Sequence, residues 1–331
     1  MTKLRVGVIG CGKIAQVRHI PEYKEKAEVA ITAVSDVDIH RARAVAAEHG
    51  IPRAYADYRQ VIEADDIEAV SVCTPNVYHA EISMEALRAG KHVLVEKPMA
   101  VTLEQCEEMV RLAQEQNKVL MVGMNQRFLP LYRRVKAIVE SGRLGRIRQF
   151  STNFHHGGPE DWSIDGAKSW FTRRSEAGHG VIADLGVHKI DLIQWLLNQR
   201  VEEIVAYPAT FAQHRDVEDA AVLAVRMTEG TLGTAHLSWN NPLQDHRTVL
   251  YGERGVLTVG ETICGITVET FDGERYEEEV PLPLRADGMI QSGVIAHFMD
   301  SILTGQQPES SGEQVLHAMR VCFAAVNGAG L

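Results

Sequence analysis

The segment ADLGVHKID, residues 183–191, places two carboxylates and an imidazole within an otherwise apolar stretch. If the segment is helical, Asp184, His188 and Asp191 share a stripe about 60° wide, because successive residues turn by about 100°. Unpaired buried charges are costly, so the three side chains must meet partners or line a cavity. A histidine suits proton transfer near neutral pH. Satisfied core polar groups, or a helix cap at Asp184, are the alternative.

A metal site is a further interpretation of the same three side chains. The sequence has no additional ligand motif, and its five cysteines are scattered without CxxC spacing. We therefore expect no metal. The odd number of cysteines suits reduced thiols in the cytoplasm better than a disulfide framework.

The composition bounds the class of protein. A chain of 331 residues is long enough for two domains, and its 45% hydrophobic and 24% charged residues are ordinary for a globular protein. The net charge of −10 argues against nucleic acid as a partner. No apolar run approaches the roughly 18–20 residues that span a bilayer, and the N-terminus has no signal-peptide core. We expect a cytoplasmic protein without a membrane partner.

The first half alternates between short apolar runs and helical patterns. We predict strands at 4–10, 29–36, 68–75, 91–98 and 118–124. Helices are expected near 14–24, 38–49, 58–64, 77–89 and 102–117, the last opened by a capping box from Thr102 to Gln105. Buried strands separated by helices predict an α/β domain with a doubly wound parallel sheet, of the Rossmann type, over residues 1–124.

Ligands bind such sheets at the carboxyl ends of the strands, where a nucleotide-binding pattern stands. GCGKIA follows the first strand and opens a helix, so Gly10, Gly12, Lys13 and Ile14 are expected to contact a pyrophosphate. Asp36 ends the second strand and can accept both ribose hydroxyls, while its charge repels a 2′-phosphate. The pattern favours NAD over NADP, unless Arg41 reaches back to rescue NADP; a turn or cap aspartate is the structural alternative.

Two further segments end strands at the same edge. The residues expected near the cofactor there are Thr74, Pro75, Asn76 and His79 after the third strand, and Glu96 and Lys97 after the fourth. A lysine at a strand end is usually solvated surface, and Lys97 alone does not distinguish that alternative from a site. Pro98 should hold Lys97 in a rigid turn.

The pattern changes after Met124, and we place a second domain at 125–331. After NQRF, residues 125–128, and a helix near 130–141, strands are expected at 146–156, 202–212, 220–227 and 231–239, and then in HRTVLYG, GVLTVG and GITVETF. Helices near 184–197, 288–304 and 312–327 should cover one face of this mostly antiparallel open sheet. Because both alternating residue sets of AAVLAVRM are largely apolar, we predict that its other face is buried against a partner subunit.

The order GCGKIA, Asp36, CTPN, EKP, NQRF and DLGVHKID resembles the glucose–fructose oxidoreductase, inositol dehydrogenase and rhizopine-catabolism family, written Gfo/Idh/MocA. The resemblance covers nearly the whole chain. It implies an α/β Rossmann domain, an α+β domain with a mostly antiparallel sheet, and an NAD(P)-dependent dehydrogenase of sugars, cyclitols or related polyols. Homodimers or homotetramers through the C-terminal sheet are expected. The Leu-Gly-Val centre of DLGVHKID is a general version that does not fix the substrate.

The same resemblance assigns roles to residues. It implies catalytic Lys97, Asp184 and His188, places Arg127 near the nicotinamide or substrate, and leaves weaker substrate contacts for three residues, namely His155, His156 and Trp162. From the chemistry we expect His188 to be the general base, with Lys97 as the rival base. Other functions left open are an NAD-dependent glycoside hydrolase with retained cofactor, an NADPH-dependent keto-sugar reductase, and a non-catalytic NAD or sugar sensor.

Overall fold

Six parallel strands form the first sheet of the computed structural model, which describes residues 3–328 and 330–331. Their bounds are β1 Leu4–Ile9, β2 Val29–Ser35, β3 Ala54–Tyr55, β4 Ala69–Val72, β5 His92–Val95 and β6 Leu120–Val122. The strand order is β3-β2-β1-β4-β5-β6. The order reverses between β1 and β4, and in such sheets the ligand crevice lies outside the carboxyl ends of the strands at that point.

The prediction of a doubly wound parallel sheet is confirmed, and each of the five predicted strands is present. The sequence did not predict β3. That strand has two residues, which pair with Val34 and Ser35 of β2. A strand of two residues is too short to show a periodic pattern in the sequence, so β3 is recognised only by its pairing with β2.

Helices connect these strands. Their bounds are α1 Ile20–Lys24, α2 Ile39–His49, α3 Arg59–Ile62, α4 His79–Arg88, α5 Leu103–Glu115 and α6 Pro130–Glu140. A π-helical turn at Ala15–His19 leads into α1, and 3₁₀ turns at Asn76–Tyr78 and Asn125–Phe128 precede α4 and α6. At the start of α5, Thr102 Oγ1 accepts a hydrogen bond from the Gln105 backbone at 3.2 Å. The Gln105 side-chain oxygen is buried and has no hydrogen-bond partner within the described part of the chain, so the return bond of the predicted capping box is not formed.

The second sheet has eight strands. They are β7 Ile147–His155, β8 Val201–Ala209, β9 Ala220–Met227, β10 Leu232–Ser238, β11 Thr248–Gly252, β12 Gly255–Val259, β13 Gly265–Thr270 and β14 Arg275–Glu279. Their order is β14-β13-β12-β11-β7-β10-β9-β8. The pairing of β7 with β10 is parallel and the remaining pairings are antiparallel. The predicted mostly antiparallel sheet is confirmed.

Four further helices follow β7 in the described part of the chain. They are α7 Arg174–Ala177, α8 Val187–Leu197, α9 Val294–Thr304 and α10 Gly312–Asn327. A π-helical turn at Ile182–Gly186 leads into α8. Between β7 and α7 the chain forms 3₁₀ turns at Pro159–Asp161, Gly166–Lys168 and Trp170–Thr172. Helix α8 packs against β7 and α6, and α10 packs against α8, α5 and β8.

The prediction for residues 288–304 is wrong in two respects. The helix begins only at Val294, because Arg285–Gly288 forms a turn and Gly293 adopts a φ of 74°, which ends the preceding segment. Helix α9 also does not cover the second sheet. Its buried residues Ile295 and Phe298 join the apolar core on one face of the first sheet, and the helix packs against α1. The division at residue 124 therefore stays a prediction.

Candidate active site

The glycine turn after β1 leaves no room for a side chain at Gly10 but has open space beside Gly12. Gly10 has a φ of 90°, and a Cβ there would lie 2.6 Å from the carbonyl oxygen of Cys73. A Cβ at Gly12 would meet no heavy atom within 4 Å. The helix begins at Lys13, so its free backbone N–H groups face this open side. The space and the donors fit the pyrophosphate of a dinucleotide.

Asp36 lies beside that turn at the end of β2. Its Oδ2 accepts a hydrogen bond from the Cys11 backbone N–H and its Oδ1 accepts one from Asp38, both at 2.9 Å. The side chain is largely buried. The carboxylate is therefore fixed by backbone contacts next to the phosphate cradle, where a ribose diol would lie.

The loop after β4 is tied to neighbouring segments. The Asn76 side chain donates to the Ala177 carbonyl at 3.0 Å. His79 is buried, with Nδ1 2.7 Å from the Pro98 carbonyl oxygen and Nε2 2.9 Å from that of Thr74. Both ring nitrogens therefore face protein, so the predicted contact of His79 with the cofactor is not supported. Its position instead fixes the loops after β4 and β5 against each other.

The Thr74 hydroxyl, unlike the side chains of Asn76 and His79, is not tied to a neighbouring segment of the described chain. Its Oγ1 is buried and has no hydrogen-bond partner among the described residues. Pro75 precedes the 3₁₀ turn that leads to α4. A buried hydroxyl without a partner at the crevice edge is a group that a bound nucleotide would satisfy.

Glu96 holds the segment that carries Lys97. One carboxylate oxygen lies 2.9 Å from His19 Nε2, and the other accepts the Lys97 backbone N–H at 3.2 Å. Burial acts to raise the pKa of Glu96, but the hydrogen bond and charge of His19 outweigh it and lower that pKa to about 2. Glu96 is thus a buried carboxylate that positions Lys97, and the predicted cofactor contact of Glu96 is not supported.

Lys97 and Asp184 form an ion pair between the two halves of the chain. Lys97 Nζ contacts Asp184 Oδ1 and lies 3.4 Å from the Asp184 carbonyl oxygen. Asp184 Oδ2 accepts a hydrogen bond from the Trp239 indole at 3.1 Å. Burial acts to raise the pKa of Asp184, but the Lys97 ammonium outweighs it, so that pKa is lowered. The carboxyl is therefore ionised, and both of its oxygens are engaged.

His188 lies beside this ion pair and carries no charge at neutral pH. The side chain is buried, and its Nδ1 has no partner among the described residues. Burial and then the nearby charge of Lys97 lower the pKa of His188 to about 3. The imidazole is therefore in the form that accepts a proton.

The predicted stripe of three polar residues does not face one cavity. Asp191 pairs with Arg127, whose Nε donates to Asp191 Oδ2 at 2.7 Å and whose Nη1 donates to the Glu309 carbonyl at 2.5 Å. Both side chains of the pair are buried. The expectation that Arg127 contacts the nicotinamide or substrate is therefore not supported, because its guanidinium is occupied by protein groups.

The three predicted substrate contacts at and after the end of β7 differ in how close they lie to the Lys97–Asp184 ion pair. His156 is near enough to Asp184 and Lys97 for their charges to act on it, although burial is the larger cause of its lowered pKa. His155 points elsewhere, with Nδ1 2.9 Å from the Asn241 side-chain nitrogen. His155 is the last residue of β7 and His156 is the first residue after it, and successive residues of an extended chain face opposite sides. Trp162 is partly exposed, and its ring packs against that of Phe171, with 5.1 Å between the ring centroids.

Sequence reasoning missed two residues that support the ion pair. Trp239 is fully buried beneath Asp184, and the guanidinium of Arg215 lies 5.7 Å above its ring. Arg215 also pairs with Glu160 at 3.0 Å and with Asp219 at 3.5 Å. A tryptophan at the end of a predicted strand was the available signal, because buried indoles seek an acceptor for their N–H.

The described residues contain neither a metal-binding cluster nor a membrane-spanning helix. Within 3–328 and 330–331, no group of three histidine, cysteine, aspartate or glutamate side chains is arranged to hold a metal ion. No helix in that part of the chain is long and apolar enough to cross a membrane.

Both halves of the chain match models of known protein families. Residues 4–124 match the model of the oxidoreductase family with an NAD-binding Rossmann fold, and residues 132–258 match the GFO/IDH/MocA C-terminal domain. The chain belongs to the GFO/IDH/MocA oxidoreductase family. The predicted family, enzyme class and NAD-binding domain are confirmed.

Individual relatives agree with that assignment. The chain is 29% identical to the 1,5-anhydro-D-fructose reductase of Ensifer adhaerens, over 98% of this chain and 96% of the relative. It is 27% identical to the myo-inositol 2-dehydrogenase of Thermotoga maritima, over 97% and 95%. A crystal structure of an oxidoreductase from Agrobacterium radiobacter, solved with NAD⁺, L-tartaric acid and magnesium, matches with a TM-score of 0.87 at 24% identity, covering 100% of this chain and 98% of that one. The structural match shows the shared fold.

The two glycines of the turn should separate folding from binding. Gly12→Ala is expected to leave the free energy of unfolding unchanged, because its Cβ meets nothing, while NAD affinity falls by about tenfold or more. Gly10→Ala should destabilise the fold by about 1–3 kcal/mol, because of its φ and the close carbonyl. Urea unfolding and calorimetric titration with NAD⁺ measure both effects. Unchanged NAD affinity in Gly12→Ala would place the cofactor elsewhere.

The buried Arg127–Asp191 pair should matter for stability. Asp191→Asn leaves a buried guanidinium without its counter-charge, and we expect the free energy of unfolding in urea to fall by about 3–5 kcal/mol. The double variant Arg127→Met, Asp191→Leu is the control and should recover most of that loss. A loss below about 1 kcal/mol in Asp191→Asn would show that the pair is not held as described.

Proposed function

We propose that this member of the GFO/IDH/MocA family is an NAD-dependent dehydrogenase that oxidises a secondary alcohol of a sugar, cyclitol or related polyol. The observation that carries the proposal is the Lys97–Asp184 ion pair beside the uncharged imidazole of His188. Relatives named for anhydrofructose and myo-inositol support a polyhydroxylated substrate. In this proposal residues 1–124 hold the cofactor and residues 125–331 complete the substrate site.

The cofactor would be held by the glycine turn, by Asp36 and by the Thr74 hydroxyl. When bound, NAD⁺ supplies the hydride acceptor. Asp36 has its carboxylate fixed beside the turn by two backbone N–H groups, so it accepts ribose hydroxyls and repels a 2′-phosphate. This arrangement supports NAD over NADP.

The hydroxyl proton of the substrate is assigned to His188. Oxidation of an alcohol requires a group that accepts this proton, and His188 is uncharged because burial and Lys97 lower its pKa to about 3. His156, which directly follows β7, is assigned a contact with a substrate hydroxyl.

Lys97 is assigned an electrostatic role. Its ammonium stabilises the negative charge that develops on the reacting oxygen. If Lys97 acted as the base in its resting state, it would leave the buried carboxylate of Asp184 unpaired, and an unpaired buried charge is costly. Asp184 orients the ammonium through one oxygen, while the Trp239 indole fixes the other.

Loss of the imidazole should slow turnover without affecting cofactor binding. His188→Gln is expected to lower kcat by roughly 10²–10⁴ with an unchanged dissociation constant for NAD⁺. NADH formation is followed by absorbance at 340 nm across a panel of inositols, aldoses and sugar acids. The matched control is His317→Gln, a half-buried histidine on α10 that should retain full activity. Normal turnover in His188→Gln would contradict its role, and NAD binding without turnover of any substrate by the native protein would contradict the proposed activity.

The pH dependence of kcat/KM provides a second test of the same assignment. Because the pKa of His188 is lowered to about 3, the ring remains able to accept a proton as the pH falls from 7 to 5. We therefore expect kcat/KM, measured at saturating NAD⁺, to show no acid limb centred near the ordinary histidine value of about 6.5. An acid limb at that value in the native enzyme would contradict an uncharged, buried His188.

We further propose that the chain forms homodimers or homotetramers through the second sheet. The outward residues Val205 and Tyr207 of β8 and Val222 of β9 are exposed, with Tyr207 paired directly to Val222. An apolar patch on the open face of a sheet is typical of a subunit interface. The interface would cover the face opposite to α8.

A charge placed in this patch should separate the subunits. Val222→Glu is expected to shift the mass measured by light scattering after gel filtration toward that of the 36.7 kDa chain, because an unpaired charge would be buried in the interface. The control is Ile263→Glu, an exposed apolar residue between β12 and β13 that lies outside the proposed interface, and it should keep the native mass. A native protein that already has the mass of one chain would contradict the proposed assembly.

A further inference from the structure

Arg41 of α2 links the end of β2 to a segment from the other half of the chain. Its Nη1 lies 3.6 Å from Asp36 Oδ2, and its Nη2 donates to Asp165 Oδ1 at 3.3 Å. Asp165 stands just before the 3₁₀ turn at Gly166–Lys168, in the segment between β7 and α7. One guanidinium is therefore shared by two carboxylates that are distant in sequence.

The two carboxylates do not hold Arg41 equally. Each oxygen of Asp36 already accepts a backbone N–H at 2.9 Å, and its contact with Arg41 exceeds hydrogen-bond distance. Asp165 supplies the directed bond. The orientation of the Arg41 fork is therefore set by Asp165, and Asp36 contributes mainly its charge.

The charge balance of this group bears on the cofactor. An arginine near the end of the second strand is the side chain that accommodates the 2′-phosphate of NADP in folds of this kind. Here one positive charge faces two negative ones, which leaves a net charge of −1 where that phosphate would lie. Without Asp165 the group would be neutral and Arg41 Nη2 would be free to turn toward an anion.

We propose that Asp165 is a cofactor-selectivity residue, which acts by engaging Arg41 and so excludes the 2′-phosphate of NADP from the site. The inference rests on the proposed use of NAD and goes beyond it, because it assigns the choice of cofactor to a residue outside the nucleotide-binding half. Asp36 repels the 2′-phosphate directly, whereas Asp165 keeps the Arg41 guanidinium from pairing with that phosphate.

The test measures binding rather than turnover. Dissociation constants of NAD⁺, NADP⁺, AMP and adenosine 2′,5′-bisphosphate are obtained by calorimetry for the native protein and for Asp165→Asn. Both side chains of the Arg41–Asp165 pair are partly solvent-exposed, which limits the effect. We expect Asp165→Asn to bind NADP⁺ and the bisphosphate about tenfold more tightly. Binding of NAD⁺ and AMP should change by less than about twofold.

The double variant shows whether Asp165 acts through Arg41. In an Arg41→Ala background, Asp165→Asn should give no gain in NADP⁺ affinity, because the cation to be released is absent. Glu274→Gln is the charge control; it removes a carboxylate paired with Arg143 at 3.1 Å in the turn between β13 and β14, and it should leave both cofactors unaffected.

Three outcomes would overturn the inference. They are an unchanged ratio of NADP⁺ to NAD⁺ affinity in Asp165→Asn, a gain that persists in the Arg41→Ala background, and an equal gain in Glu274→Gln. Failure of the proposed function is recognised separately, because the native protein would then bind neither NAD⁺ nor NADP⁺.

Discussion

The ion pair between Lys97 and Asp184 is the constraint on which the rest of the crevice depends. It joins the carboxyl end of β5 to the π-helical turn before α8, and thus one sheet to the other. Neither charge is well solvated, so each requires the other in place. Glu96 fixes the Lys97 backbone, and Trp239 at the end of β10 fixes the second oxygen of Asp184. Three separate segments are thereby held around one pair of charges.

The same pair determines the state of the neighbouring imidazole. Burial is the larger cause of the lowered pKa of His188, and the charge of Lys97 adds to it. Each pKa unit corresponds to about 1.36 kcal/mol between the two protonation states. In the proposed mechanism, the Lys97 ammonium that would stabilise negative charge on the substrate oxygen therefore also helps to keep the nearby His188 uncharged. Lys97 therefore keeps its positive charge while the nearby His188 keeps its ring uncharged and able to accept a proton.

Sequence reasoning succeeded where local pattern decides the structure. The strands, most helices and the glycine turn follow from periodicity and from residue types at strand ends. It failed where partners are distant in sequence. The bidentate pairing of Arg127 with Asp191 and the engagement of both His79 nitrogens depend on tertiary contacts. Packing of α9 against the first sheet likewise depends on the return of the chain, because an amphipathic helix does not reveal which sheet it covers.

The segment between β7 and α7 shows why the two halves cannot be considered separately. Glu160 in this segment binds Arg215, which lies over the Trp239 ring beneath Asp184. A few residues later, Asp165 binds Arg41 beside the carboxylate of the second strand. The segment is thus anchored at one point to the supports of the ion pair and at another to the adenosine side of the crevice. Because its two anchors are separated by only a short stretch of chain, this segment connects the supports of the Lys97–Asp184 ion pair to the carboxylate at the end of β2.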